Sequence, residues 1–112
     1  ELLQAGEPGT SAILAGGTDL LDRLKERLTT PRRLVNVKSV PEMQGIDVQQ
    51  ADAAGPLLDI GAVTTIATVA AEPRIAADWT ALHQAAHAIA TPQLRNMGTL
   101  GGNLCQRPRC VY

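Results

Sequence analysis

The chain of 112 residues carries a formal net charge of −1, with 45% hydrophobic and 2% aromatic residues. That composition suits one folded unit with a modest core, and the missing basic excess argues against nucleic acid or an anionic membrane surface as partner. Trp79 and Tyr112 are the only aromatics, so base-stacking platforms are excluded, and no apolar run is long enough to insert across a bilayer.

Glu1-Leu2-Leu3-Gln4-Ala5 reads as the tail of a helix, and Cys110-Val111-Tyr112 stops without a terminator, so the chain is expected to be an incomplete piece of a longer one. Gly6 to Thr10 is a turn-rich link. The apolar run Ala12 to Ala15 predicts a buried strand, Gly16-Gly17 a turn, and Thr18 or Asp19 the start of a helix to Leu28. Leu20, Leu21, Leu24 and Leu28 share one side of that helix, while Asp22 with Lys25 and Arg23 with Glu26 can pair on the other. Thr29-Thr30-Pro31 ends it, because proline disfavours helical geometry in the residue before it. Arg33 to Val37 is β-branched and apolar, a second strand. Strand, helix and strand with short links make a βαβ unit, so the two strands should run parallel.

Pro41 interrupts this pattern, and a subdomain boundary is expected near Val40-Glu42, dividing the chain into 1–40 and 41–112. Ile46-Asp47-Val48 alternates like a half-buried strand. Gln49 to Pro56 is a polar, exposed turn, and Leu57 to Ala62 is the antiparallel partner strand. Thr64 or Thr65 caps a short helix with Ile66, Val69 and Ala70 inward, stopped at Glu72-Pro73. Asp78 caps a longer helix in which Leu82, Ala85, Ala86 and Ile89 form a stripe, closed by Thr91-Pro92. Gln93 to Met97 is an irregular run-in to a second glycine loop, Gly98-Thr99-Leu100-Gly101-Gly102-Asn103.

The strand, glycine pair and helix start at 13–20 form a geometry that binds anions. Glycine lets the backbone approach a ligand, and the free N–H groups of the first turn point at it. Either glycine pair alone is also what an ordinary tight turn needs. The spacing is neither G-x-G-x-x-G nor a P-loop, and the charges of Asp19 and Asp22 count against a phosphate there. Two hydroxyl-plus-Gly-Gly segments in one small chain shift the balance towards a dinucleotide, its two phosphates held by peptide amides from both segments without a cation.

Three segments carry a resemblance. Ile13 to Leu20, Asp59 to Thr65, and Ile89-Ala90-Thr91-Pro92-Gln93-Leu94-Arg95-Asn96-Met97-Gly98-Thr99-Leu100-Gly101-Gly102-Asn103-Leu104 resemble, in order and spacing, the FAD-binding medium subunit of molybdenum hydroxylases. These are relatives of xanthine dehydrogenase, carbon monoxide dehydrogenase and aldehyde oxidoreductases. The resemblance implies an α+β fold of the FAD-binding type 2 (PCMH-like) kind, a small βαβ subdomain followed by a mixed sheet-and-helix subdomain. It implies FAD, a molybdopterin-binding large subunit and a two-iron iron–sulfur small subunit as partners, and electron transfer from iron–sulfur clusters through FAD to an external acceptor. Carried over by residue, Ala15, Gly16, Gly17, Thr18, Asp19 and Leu20 would wrap the pyrophosphate from one side. Gly98, Thr99, Gly101, Gly102 and Asn103 would hold it from the other, with Ala62 and Thr64 near the flavin or its ribityl chain. No catalytic side chain is implied. Such a complex is expected in the cytoplasm, or in the periplasm through a partner's export signal.

Cys105 and Cys110 have a spacing that suits no zinc knuckle, and two thiolates complete no metal site. The run Gln106 to Cys110 resembles family members with an extra four-iron cluster, which would make Cys110 and then Cys105 its ligands; the alternative is a small buried hydrophobe and an ordinary thiol. His83 and His87 lie i,i+4 but lack the glutamate of H-E-x-x-H, and read as polar-face residues. Trp79 reads as a core anchor. Arg32, Arg33, Arg107 and Arg109 are docking contacts or solvated charges. Two rival functions stand beside the flavin subunit: a non-catalytic interaction fragment whose glycine segments are mere turns, and a flavoenzyme of the enolpyruvyl-reductase type.

Overall fold

The structure, a computed structural model, describes residues 9–49 and 55–108. The expectations for residues 1–5, for the middle of the 49–56 turn and for 109–112, Cys110 among them, lie outside the described residues.

β1 (Ser11–Leu14) and β2 (Arg33–Asn36) pair in parallel, with Ala12 opposite Leu34 and Ile13 opposite Val35. Between them runs α1 (Leu20–Lys25). The βαβ unit is therefore as expected, but its helix stops earlier than Leu28. Arg27 adopts φ +54°, its N–H donates to the Leu24 carbonyl at 3.1 Å, and the Leu28 N–H reaches the Arg23 carbonyl at 2.9 Å. This pair of reversed bonds is a left-handed helix cap, so the chain turns before Pro31 acts. The ion pair that Arg23 forms is with Asp19, one turn back, rather than with Glu26.

A 3₁₀ turn, Pro41–Met43, leads to β3 (Ile46–Gln49), which pairs antiparallel with β4 (Leu57–Ile60), Ile46 opposite Ile60. α2 (Ile66–Ala71) follows, with Thr65 Oγ1 accepting from the Thr68 N–H at 3.1 Å and Ile66, Val69 and Ala70 buried. Those assignments match the expected cap and inward face.

α2 stops ahead of Glu72-Pro73 as expected, but four features after it differ from expectation. Pro73 begins a helix, α3 (Pro73–Asp78), because proline at a first helical position gives up only an N–H that lacks a partner anyway. Asp78 is the last residue of α3 and caps nothing. The next helix, α4 (Thr80–Ala88), starts behind Trp79 with no side-chain cap. Gln93 to Met97 is not irregular but lies in α5 (Pro92–Met97), capped by Thr91. The second glycine segment is not a loop either: Leu100–Leu104 is a helical turn, α6, with Thr99 at its N-cap.

The core gathers Ile66, Val69, Ala70, Ile75 and Ala86, with Ile46, Leu58, Ile60, Trp79, Leu82, Ile89 and Leu100 packed against it. Ala85 of the expected stripe is exposed. Trp79 serves as the anticipated anchor, and His87 reaches α2, its Nε2–H donating to the Ala70 carbonyl at 3.1 Å. All of this core is supplied from residue 46 onwards; among the described residues, β1, α1 and β2 bury none of their side chains. No helix among the described residues is long and apolar enough to cross a membrane.

Candidate functional site

The two glycine segments meet. A Cβ on Gly16 would overlap the Met97 carbonyl and come within 3.0 Å of Gly98 Cα, so the first glycine turn lies backbone to backbone against the end of α5. Gly17 takes φ +79°, a conformation open to few side chains, and turns the chain from β1 into α1. On the other side, the N–H of Leu100 donates to the Thr64 carbonyl at 2.9 Å and the N–H of Ile66 to the Gly98 carbonyl at 2.9 Å. These bonds, and the Thr65–Thr99 bridge, tie the second segment to the start of α2.

Between the two segments opens a cleft of about 370 Å³. Ala15, Gly16, Gly17, Thr18, Asp19 and Leu20 line one wall; Ala62, Thr99, Gly101 and Gly102 line the other. A second hollow of about 310 Å³ shares Thr18, Thr99 and Gly102 with the first and adds Gly98 and Asn103. Most residues singled out from the sequence thus come together at one place. Thr64 does not. It is buried, its hydroxyl donating to the Gly45 carbonyl and accepting from the Gly45 N–H, both at 3.0 Å, and it lines neither hollow.

The hydrogen-bonding capacity of the two walls differs. Among the described residues, no hydrogen bond uses the N–H of Gly16, Gly17, Thr18 or Leu20. At the head of α6 every N–H is already committed. Besides Leu100, Gly101 donates to the Ala62 carbonyl at 2.8 Å, Gly102 to Thr99 Oγ1 at 3.1 Å and Asn103 to the Thr99 carbonyl at 2.9 Å. The sequence suggests amides gripping an anion from both sides; the structure commits the amides from Leu100 to Asn103 to the fold and keeps a row of uncommitted ones at the first wall. The glycines of α6 serve close packing instead, since a Cβ on Gly101 would come within 2.9 Å of Ala62 and one on Gly102 within 2.8 Å of Thr99 Oγ1.

Arg23, Met43 and Cys105 also line the cleft and were not derivable from the glycine motifs. A signal for Arg23 exists in its i,i+4 spacing from Asp19. Cys105 is an exposed free thiol, and among the described residues no group of three or more His, Cys, Asp or Glu side chains could hold a metal ion.

Residues 1–109 match the family described as FAD binding domain in molybdopterin dehydrogenase. The chain belongs to this family. Its relatives include the FAD-binding subunit PaoB of aldehyde oxidoreductase from Escherichia coli K12, 42% identical over 106 residues, which are 94% of this chain and 31% of that subunit. The medium chain of carbon monoxide dehydrogenase from Hydrogenophaga pseudoflava is 37% identical over 88% of this chain and 33% of its own length. The fold agrees. The carbon monoxide dehydrogenase of Hydrogenophaga pseudoflava that lacks the Mo-pyranopterin moiety superposes with a TM-score of 0.79 at 35% identity, over 92% of this chain and 33% of the other. Quinoline 2-oxidoreductase from Pseudomonas putida 86 gives 0.74 at 32% identity, over 87% of this chain and 32% of the other. The chain thus spans about a third of the length of these relatives. FAD is the cofactor of the family, and the first wall fits its diphosphate in its donors: Gly16, Gly17, Thr18 and Leu20 carry clustered N–H groups that no hydrogen bond among the described residues uses.

Proposed function

We propose that this molybdopterin dehydrogenase FAD domain holds the FAD diphosphate on the amides of the 16–20 turn, as part of the electron-transferring subunit of a molybdopterin-dependent oxidoreductase. The observation that carries this reading is the row of uncommitted N–H groups at Gly16, Gly17, Thr18 and Leu20, on residues that line one cleft together with the second glycine segment. Residues 1–40 and 41–112 act as two subdomains in this reading, with the cofactor lying along their junction. Ala15 to Leu20 wrap the phosphates, with the N–H groups of Gly16, Gly17, Thr18 and Leu20 donating to them. Thr99, Gly101 and Gly102 form the facing wall, Gly98 and Asn103 extend it, and Ala62 stands beside the ribityl chain.

The bound FAD supplies the redox chemistry, taking electrons from an iron–sulfur donor and releasing them to an external acceptor. The chain's own residues bind and orient. Gly16 keeps the phosphate turn pressed against α5, and the cap at Thr99 keeps α6 in place. Relatives named as a FAD-binding subunit and a medium chain support partner subunits as such; this reading assigns them as a molybdopterin-binding subunit and a two-iron subunit. The iron–sulfur clusters belong, in this account, to that partner.

Flavin content of the purified full-length protein tests the binding site. Gly17→Val places a β-branched residue at φ +79° and should lower FAD affinity at least tenfold, leaving the purified protein largely colourless. Retention of a stoichiometric flavin by this variant would contradict the reading.

A further inference from the structure

Arg23 is the one cationic side chain lining the cleft among the described residues. Its Nη1 stands 3.8 Å from Asp19 Oδ2, with the two side chains 29% and 21% exposed. The spacing explains the contact, since residues four apart on a helix lie one above the other, and an acidic residue N-terminal to a basic one is the favourable order. Asp19 occupies the N-cap position of α1, yet its side chain makes no capping hydrogen bond. Its carboxylate therefore stands in the wall that offers the free amides, where a diphosphate would meet a like charge.

We propose that Arg23 is a positioning residue of the cleft: it neutralises Asp19, and so allows a turn that carries a carboxylate to accept a diphosphate. This rests on the reading of the 16–20 turn as the diphosphate site. Paired in this way, Asp19 no longer opposes a phosphate beside the glycine pair. Arginine suits the task because its long side chain reaches back one turn while its stem covers the helix surface.

The test measures FAD dissociation constants by flavin fluorescence on the full-length protein after flavin removal, with melting temperatures of the apo forms recorded alongside. Arg23→Gln should weaken FAD binding about tenfold, an effect typical of losing one positive charge near a bound anion in a partly exposed site. Arg23→Lys should recover much of the loss. The deciding variant is the double Arg23→Gln/Asp19→Asn, which removes both charges and should restore affinity to within about threefold of the starting protein. Asp19→Asn alone completes the cycle: with Arg23 in place it should change affinity less than threefold, whereas an Asp19→Asn gain as large in the wild type as in Arg23→Gln would assign Arg23 to direct contact with the phosphate and overturn the proposal. Wild-type affinity in Arg23→Gln would overturn the proposal, and so would a double variant no better than the single one. Were Gly17→Val to bind FAD like the wild type, the cleft itself would not be the diphosphate site. A weakened Gly17→Val beside an unchanged Arg23→Gln removes the role of Arg23 alone.

Discussion

The Thr64 hydroxyl uses one donor and one acceptor on a single residue, Gly45, which pins the entry to β3 against the start of α2. Because Thr64 is buried, losing the hydroxyl leaves an amide and a carbonyl of Gly45 without those partners. Thr64→Val should therefore cost about 1–3 kcal/mol, seen as a lower denaturant midpoint at unchanged slope. Glu72 is a second single-residue case, with its charge at work. Its Oε1 accepts from Arg74 Nε at 2.7 Å and from the Arg74 N–H at 3.3 Å, at the head of α3. The Arg74 side-chain bond first, and its backbone bond second, hold the Glu72 carboxyl below its ordinary value. A depressed value means that the contribution is complete above the ordinary glutamate range and is lost as pH falls through the depressed value. Glu72→Gln should thus melt below the wild type near pH 7, and the gap should narrow as acid protonates the Glu72 carboxylate. A series of thermal melts from neutral into acid pH checks it.

Elements differ in how far their residues announce them. In the β3–β4 hairpin, Asp47 stands directly opposite Asp59 on the exposed face, a like-charge pair that opposes the pairing. Asp59→Thr should raise stability by a few tenths of a kcal/mol, measurable as a small rise in melting temperature. The two strand pairs and α2 were legible, because β-branched alternation and a Thr cap before an i, i+3, i+4 apolar pattern are local signals. α3 was not, since Pro73 reads as a stop until its place at a first helical position is known. α6 was hidden for a deeper reason. Two adjacent glycines are poor helix formers, and the turn is held by bonds to Ala62 and Thr64, distant in sequence. The end of α1 escaped too, because arginine is an unusual residue for the left-handed position that Arg27 takes. The glycine segments themselves could be read as site residues. That the amides from Leu100 to Asn103 are taken up could not, because the acceptors for Leu100 and Gly101 come from the tertiary fold.

For the molecule as a whole, the uneven burial is the controlling fact. The core belongs to the second half, whereas Ile13 and Leu28 in the first half are 51% and 63% exposed. The βαβ unit holds its place partly through the backbone contact of Gly16 with Met97 and Gly98, the same contact that closes the cleft. Stability and cofactor site are therefore coupled. Gly16→Ala should push the phosphate turn away from α5, lower the melting temperature, and reduce flavin content together, at a cost of about 1–3 kcal/mol typical of overpacking. A crystal structure of the FAD-loaded full-length protein is the most direct test of the account. It should place diphosphate oxygens within about 3.2 Å of the nitrogens of Gly16, Gly17 and Thr18, with Thr99 to Gly102 facing them as a wall. A diphosphate bound away from the 16–20 turn would contradict it.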